Sequence, residues 1–388
     1  MSLAKRPIFR LLFLIVLVSL VVTACGTSAP NESWPGMTAD DQFIYVAYGP
    51  AILSYDVANQ QEVWRYSPAE TNPPFFAPPS VQDGRIVIGD YGVSGGFLSP
   101  GSTYTLYGLE IVDNRTVSEM WTDGGELSTD RYVGEATQVD DVAYVPTSDF
   151  AVLAVDANTG QLIWRFEAIG AVWSKPIYYE GTLYVTSLGK SVYALNAETG
   201  DVLWETPLVG AMSAAPVLNP DAQLLYAGNY DNKLHALDMA TGEEKWVAEA
   251  ANWIWNAPAL DDGRLYYADN DGFVYAVDAL DGSPIWEKPA QVAGPIQASP
   301  VYADGRLYVA STGDPKEGKG LLVALDAATG LQQWQQTTDS PLFTTPVIVD
   351  DVIVVALGQI VNDLLIAYDL ETGNQQWGYN PTPGEEGN

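Results

Sequence analysis

Apolar positions in this chain come in short runs, and no run keeps one spacing for long. Residues 183–204 read LYVTSLGKSVYALNAETGDVLW, 265–286 read LYYADNDGFVYAVDALDGSPIW, and 307–334 read LYVASTGDPKEGKGLLVALDAATGLQQW. Stretches rich in Val, Tyr, Leu and Ile alternate with Gly, Asp, Asn and Thr, the pattern of strands joined by tight turns. No stretch of the mature chain holds apolar residues at three- and four-residue spacing long enough for a helix, which excludes the helical repeat architectures.

Each unit predicts four strands. The first follows a proline, as in 175–179 (KPIYY), 257–260 (APAL) and 299–303 (SPVYA). A two-residue turn, Glu180-Gly181, Asp262-Gly263 or Asp304-Gly305, leads to the second. A variable hairpin leads to the third, and a Thr-Gly turn leads to a fourth strand that carries a Trp. Gly160, Gly200, Gly242, Gly282, Gly330 and Gly373 stand four residues before that Trp, where the turn needs a positive φ.

The unit recurs. Asp or Asn precedes a Trp by eight residues at Asp56 and Trp64, Asp113 and Trp121, Asp156 and Trp164, Asn196 and Trp204, Asp238 and Trp246, Asp278 and Trp286, Asp326 and Trp334, and Asp369 and Trp377. Successive tryptophans lie 40 to 57 residues apart. Four antiparallel strands in some forty residues, eight times over, predict an all-β, eight-bladed propeller with one blade per repeat. The motif Ala-Leu-Asp…Thr-Gly…Trp stands at Ala154–Trp164, Ala194–Trp204, Ala236–Trp246, Ala276–Trp286, Ala324–Trp334 and Ala367–Trp377. It is weaker in blades 1 and 2, where Ser54 and Ile111 replace the Ala and Gln60 and Val117 the Gly. The repeat resembles that of the PQQ-like, quinoprotein-type β-propellers over about 34–378. The resemblance implies that each motif Trp, from Trp64 in blade 1 to Trp377 in blade 8, docks on a neighbouring blade over small residues. Insertions at 91–105, 312–320 and 357–363 fall between second and third strands, on the face that also carries the blade-to-blade connections.

Composition changes this picture mainly at the N-terminus. Lys5, Arg6 and Arg10 precede an apolar stretch at 11–22, too short to span a bilayer comfortably. Val22-Thr23-Ala24-Cys25-Gly26 resembles a bacterial lipobox, and Cys25 is the only cysteine. The expectation is a signal peptide at 1–24, a Cys25 that is diacylated on its thiol, a polar tether at 25–33, the propeller at 34–378 and a flexible tail at 379–388. A plain signal peptide with an incidental Cys is the alternative. The anchored protein would sit outside the cytoplasm, on the outer membrane facing the periplasm where the host has two membranes. Otherwise it would sit on the outer face of the cytoplasmic membrane.

The full chain has 17 Lys and Arg against 49 Asp and Glu, a net charge of −32. Removing residues 1–24 makes the balance more acidic still. Such a field repels phosphate backbones and anionic lipid headgroups, so nucleic-acid binding is excluded and membrane attachment falls to the lipid.

The chemical inventory is thin. His235 is the only histidine and occupies the strand position of Tyr193 and Tyr275, where a packed residue is expected. Asp269-Asn270-Asp271-Gly272 begins like a calcium loop but sits at a hairpin and lacks the closing Glu. The quinoprotein dehydrogenases that the repeat resembles use adjacent cysteines, a calcium ion and a catalytic Asp, none of which can be matched here. The expectation is therefore no catalytic residue, no metal and no cofactor, with a PQQ-dependent oxidoreductase as the alternative. The architecture is similar to the BamB-like scaffold lipoproteins of outer-membrane protein assembly. The resemblance implies a non-enzymatic module, a monomer or a subunit of a hetero-complex, that binds an envelope or secreted protein. Aromatic residues recur where the innermost strands begin: Trp34, Phe76, Trp173, Trp255 and Phe343, with Phe75 and Trp253 close by. They form either a binding surface or a plug at the mouth of the central channel.

Overall fold

A computed structural model describes residues 34–69, 72–94, 102–113, 115–358 and 362–381; the expected signal peptide, the whole tether with Cys25 and most of the C-terminal tail lie outside them. The described strands form eight four-stranded antiparallel sheets, with a two-stranded hairpin in the blade 2 insertion. Blade 4 shows the standard unit: Ile177–Tyr179, Thr182–Thr186, Ser191–Asn196 and Val202–Pro207, paired in chain order. Among the described residues no helix is long and apolar enough to cross a membrane.

The second and third strands of each blade are apolar on both faces because neighbouring blades cover both. Val352–Ala356 is buried throughout, whereas the outermost Val202–Pro207 is mostly exposed. The buried apolar side chains fall into eight clusters, each shared by two adjacent blades. At the seam, blade 1 (Gly36–Ala39 to Gln61–Tyr66) and blade 8 (Val347–Val349 to Gln375–Tyr379) exchange no strand. Their shared core, the Tyr55–Trp377 and Tyr55–Tyr379 ring contacts at 5.0 and 4.7 Å, and a Tyr379 hydroxyl donated to Glu62 close the ring.

The turns carry the expected chemistry. Glu180 and Gly181 have φ of 45° and 81°, and Asp262 and Gly263 of 42° and 75°, which is type I′ geometry. The indoles of Trp121, Trp164, Trp204, Trp246, Trp286 and Trp334 each lie over the turn glycine of the following blade. A Cβ on Gly200 would come 2.7 Å from the Trp164 ring, and one on Gly242 would come 2.6 Å from the Trp204 ring, so glycine is needed twice over there. Trp204 Nε1 donates to the Met239 carbonyl at 3.0 Å, and Tyr184 of the same blade donates its hydroxyl to that carbonyl at 3.2 Å. The Tyr–Trp pair recurs as Tyr144 and Trp164 on Ala197, Tyr266 and Trp286 on Ala327, and Tyr308 and Trp334 on Leu370. In blade 5 only Tyr226 reaches the corresponding carbonyl, that of Ala279.

Three expectations are corrected. Trp64 and Trp377 are buried between blades, but not over glycine. Trp64 is 6% exposed, lies 6.1 Å from Tyr45 of its own blade, and shares its cluster with the bulky Ile111 and Val117 of blade 2. Trp377 packs on Tyr55 of blade 1. The reason is that the turns facing these two indoles, in blades 2 and 1, lack the glycine, so larger side chains fill the space instead. In blade 2 the spacing of Asp113 and Trp121 is coincidental. The pairing puts Trp121 opposite Gly108, and Glu110 opposite Arg85, so Glu110 holds the motif Asp position and Gly108, not Ile111, the small-residue slot. The longer hairpin moves the register by three residues, while Trp121 still donates to the next blade at Ala157 (2.9 Å). In blade 6 the outermost strand does not carry its Trp. Pro284 and Pro289 cannot donate to a ladder, and the regular pairing shrinks to Ala290–Gln291 with Trp286 in a bend outside it.

Candidate functional site

Three residues lead into the innermost strand of each blade, and in blades 3 to 7 most of them line the central channel. In blades 3 to 7 the triplets are Val133-Gly134-Glu135, Trp173-Ser174-Lys175, Ser213-Ala214-Ala215, Trp255-Asn256-Ala257 and Gln297-Ala298-Ser299. A cavity of about 590 Å³ lies here, with lining residues from all eight blades. Its charged lining residues are Glu135 and Lys175, paired at 2.5 Å. Burial pushes the Glu135 carboxyl up, and Lys175 pulls it back toward the charged form.

The aromatic candidates form four local groups rather than one ring. Trp34 packs on Phe343 across the blade 8–blade 1 seam, centroids 5.6 Å apart. Phe76 meets Tyr91 edge-on at 4.5 Å, and Arg131 lies 4.6 Å above Tyr91. Trp173 donates Nε1 to Ser148 Oγ at 3.0 Å. Trp253 and Trp255 stack on Tyr230 at 5.5 and 5.2 Å. Trp173 and Trp255 line the cavity, Trp253 and Trp34 stand outward at 47% and 53% exposure, and Phe75 is buried in the core between blades 1 and 2.

Other apolar residues stand open on the same face. Phe150, in the second hairpin of blade 3, is 53% exposed. Ile169 and Val209, in the next two blade-to-blade connections, are 61% and 73% exposed, and Trp253 lies in the connection after those. Phe150 also holds φ at 72°, where a bulky side chain is strained. The sequence signal for this arc is a large apolar residue at a hairpin tip, where blades 4 and 5 carry Lys190 and Asn232, or in a connection, where other blades carry Ala, Pro or Asp.

His235 is buried. Its Nδ1 lies 2.7 Å from Glu244 and its Nε2 lies 3.1 Å from the Asn229 amide, the arrangement of a packed, hydrogen-bonded residue. Asp269 accepts the backbone N–H groups of Ala251, Asn252, Asp271 and Phe273 and the Tyr275 hydroxyl, which ties the hairpin to the preceding connection. The channel does not suit a pyrroloquinoline quinone. That cofactor is a polycarboxylate, and the single ammonium in the lining is already paired. Among the described residues no three His, Cys, Asp or Glu side chains gather where a metal could be held.

The sequence matches the family described as outer membrane protein assembly factor BamB over residues 24–165, 108–222, 213–298 and 274–386. It is 24% identical over 373 residues to outer membrane protein assembly factor BamB of Shewanella oneidensis, covering 87% of this chain and 89% of that protein. It is 24% identical over 300 residues to tetrathionate hydrolase of Acidithiobacillus ferrooxidans, where it spans 62% of its own length and 56% of the enzyme's. The solved structure of BamB from Moraxella catarrhalis shares the fold with a TM-score of 0.66 at 18% identity, over 85% of this chain and 92% of that one.

Proposed function

The chain belongs to the outer membrane protein assembly factor BamB family, and from that premise we propose that it is a non-enzymatic scaffold of the cell envelope, held to a membrane by lipid on Cys25, that docks a protein partner on its connection face. The observation that carries this reading is the exposed apolar arc of Phe150, Ile169, Val209 and Trp253. Four large apolar side chains in consecutive sectors of one face, on a chain of net charge −32, are costly to leave in water and supply the anchors of an interface. The rigid ring beneath holds them in fixed positions, so little ordering is lost on docking.

The test is capture of partner from detergent-solubilised envelope. Replacing Phe150, Ile169 and Trp253 together by Ser should abolish capture while the thermal transition stays unchanged. Charge reversals at Glu180 and Asp262, on the opposite face, serve as the control. Loss of capture in the control with capture intact in the triple variant would reverse the assignment of the face.

A further inference from the structure

We propose that the channel mouth between blades 4 and 6 is a binding slot for a neutral saccharide of one or two rings, packed on Trp173 and Trp255 and hydrogen-bonded to Asn256 and Lys175.

The slot comes from a departure from the repeat. The middle residue is small in five of the triplets, Ala77, Gly134, Ser174, Ala214 and Ala298, and is Pro35 in blade 1 and Thr344 in blade 8. Blade 6 places Asn256 there instead. Its Nδ2 donates to two carbonyls, Ala268 at 3.2 Å and Ile296 at 3.1 Å, which fixes the amide plane and directs Oδ1 the other way. Asn256 is 2% exposed, lines the cavity, and its Oδ1 has no hydrogen-bond partner among the described residues. Oδ1 is covered as the side chain stands, and a ligand O–H or N–H that reached it on a small rotation of the amide would remove the desolvation cost of that buried acceptor.

The surroundings narrow the ligand. Trp173 and Trp255 occupy equivalent positions two blades apart, and blade 5 between them offers only Ser213, Ala214 and Ala215. Two indoles flanking a floor of small residues suit a ring with an apolar C–H face. The polar groups are of opposite kinds: Asn256 Oδ1 only accepts, and Lys175 Nζ only donates, with one of its donors already given to Glu135. A hydroxyl is both donor and acceptor, so a sugar serves both. An anionic ligand is disfavoured because Lys175 is neutralised and the whole chain is strongly acidic. The cavity, about 590 Å³, is within the range of small-molecule sites. Phe150, Ile169, Val209 and Trp253 are not among its lining residues, so the slot stands independently of the docking face.

Saturation-transfer NMR and tryptophan fluorescence on the intact chain, titrated with cellobiose and with chitobiose, test this. At least one disaccharide should receive saturation through its ring protons. Trp173→Leu should weaken it at least tenfold, the loss expected of an aromatic anchor. Ala214→Phe fills the floor of the slot and should abolish binding with an unchanged thermal midpoint. Should Ala214→Phe fail to fold, Trp173→Leu carries the test. No transfer to either disaccharide at about 10 mM, a concentration that reveals even millimolar affinity, would overturn the proposal. So would binding that survives Ala214→Phe, or a slot that takes an uncharged peptide and neither sugar. Partner capture should be untouched by Ala214→Phe, so failure of the slot and failure of the docking face remain separate results.

Discussion

Replacing Trp121 by Ala should cost more than replacing Trp204, although both sit in the same motif position. Trp121 is 8% exposed, and glycines lie against its ring from two sides: a Cβ on Gly108 would come within 2.1 Å of it and one on Gly160 within 2.5 Å. Burying an indole removes on the order of 150–250 Å² from water. At about 25 cal/mol per Å² that is about 4–6 kcal/mol. Collapse normally recovers part of such a loss, but two glycines have no side chains to move into the space. Trp121 also donates to the Ala157 carbonyl, and Val87 stands where blades 3 to 7 have the second donor, a tyrosine. An unpaired carbonyl adds about 1 kcal/mol. The expected total is about 5–7 kcal/mol, at or above the upper end of the usual range for Trp→Ala. Trp204 is only partly buried, and after its removal Tyr184 still donates to Met239, so about 3 kcal/mol is expected there. Urea unfolding followed by both fluorescence and far-ultraviolet circular dichroism measures the difference, provided the two probes coincide. Equal losses, or a larger loss at Trp204, would refute the argument that the glycine slots and the paired donor set the cost.

Three further outcomes are expected. Cys25→Ser should leave the precursor unprocessed or free of lipid, and partitioning into the detergent phase that survives the change would remove Cys25 from the anchor. Gln60 holds φ at 52° in the slot that glycine fills in six other blades, so Gln60→Gly should stabilise the ring by about 0.5–1 kcal/mol; a lower thermal midpoint would show that its side chain contributes more than its strain costs. Asp90 is buried, and its carboxyl is pushed up to about 6 by desolvation, against hydrogen bonds from Thr105, Tyr107 and Gly92. The folded state therefore binds this proton more tightly than the unfolded one. Its contribution is most favourable below the unfolded value and is lost as pH rises through about 6. Asp90→Asn should gain midpoint temperature relative to the parent at about pH 7.5 and lose that advantage at about pH 4.5; a pH-independent difference would place the buried charge elsewhere.

Sequence alone determined the number of blades, the four strands in each and the type of turn between them. These follow from interactions a few residues long, repeated eight times: the paired positive φ of Glu180-Gly181, the Asp-to-Gly turn closed by Thr, and a Trp at fixed distance. Repetition turns weak local signals into one unambiguous period. Where spacing was the only guide it misled, because Asp113 lies eight residues before Trp121 yet the strand pairing gives its place to Glu110. The tertiary structure decided what meets in space. Trp64 carries the same local motif as Trp204, yet its neighbours are Ile111 and Val117 rather than a glycine, because the facing blade supplies them. The ring brings Trp34 onto Phe343, and Thr344 donates to the Pro35 carbonyl across nearly the whole chain. It also gathers Phe150, Ile169, Val209 and Trp253 on one open face and leaves Asn256 Oδ1 without a partner among the described residues. A strand pattern fixes which side of its own sheet a residue occupies. The residue that faces it comes from a neighbouring blade some forty positions away, and only closure of the ring sets that distance.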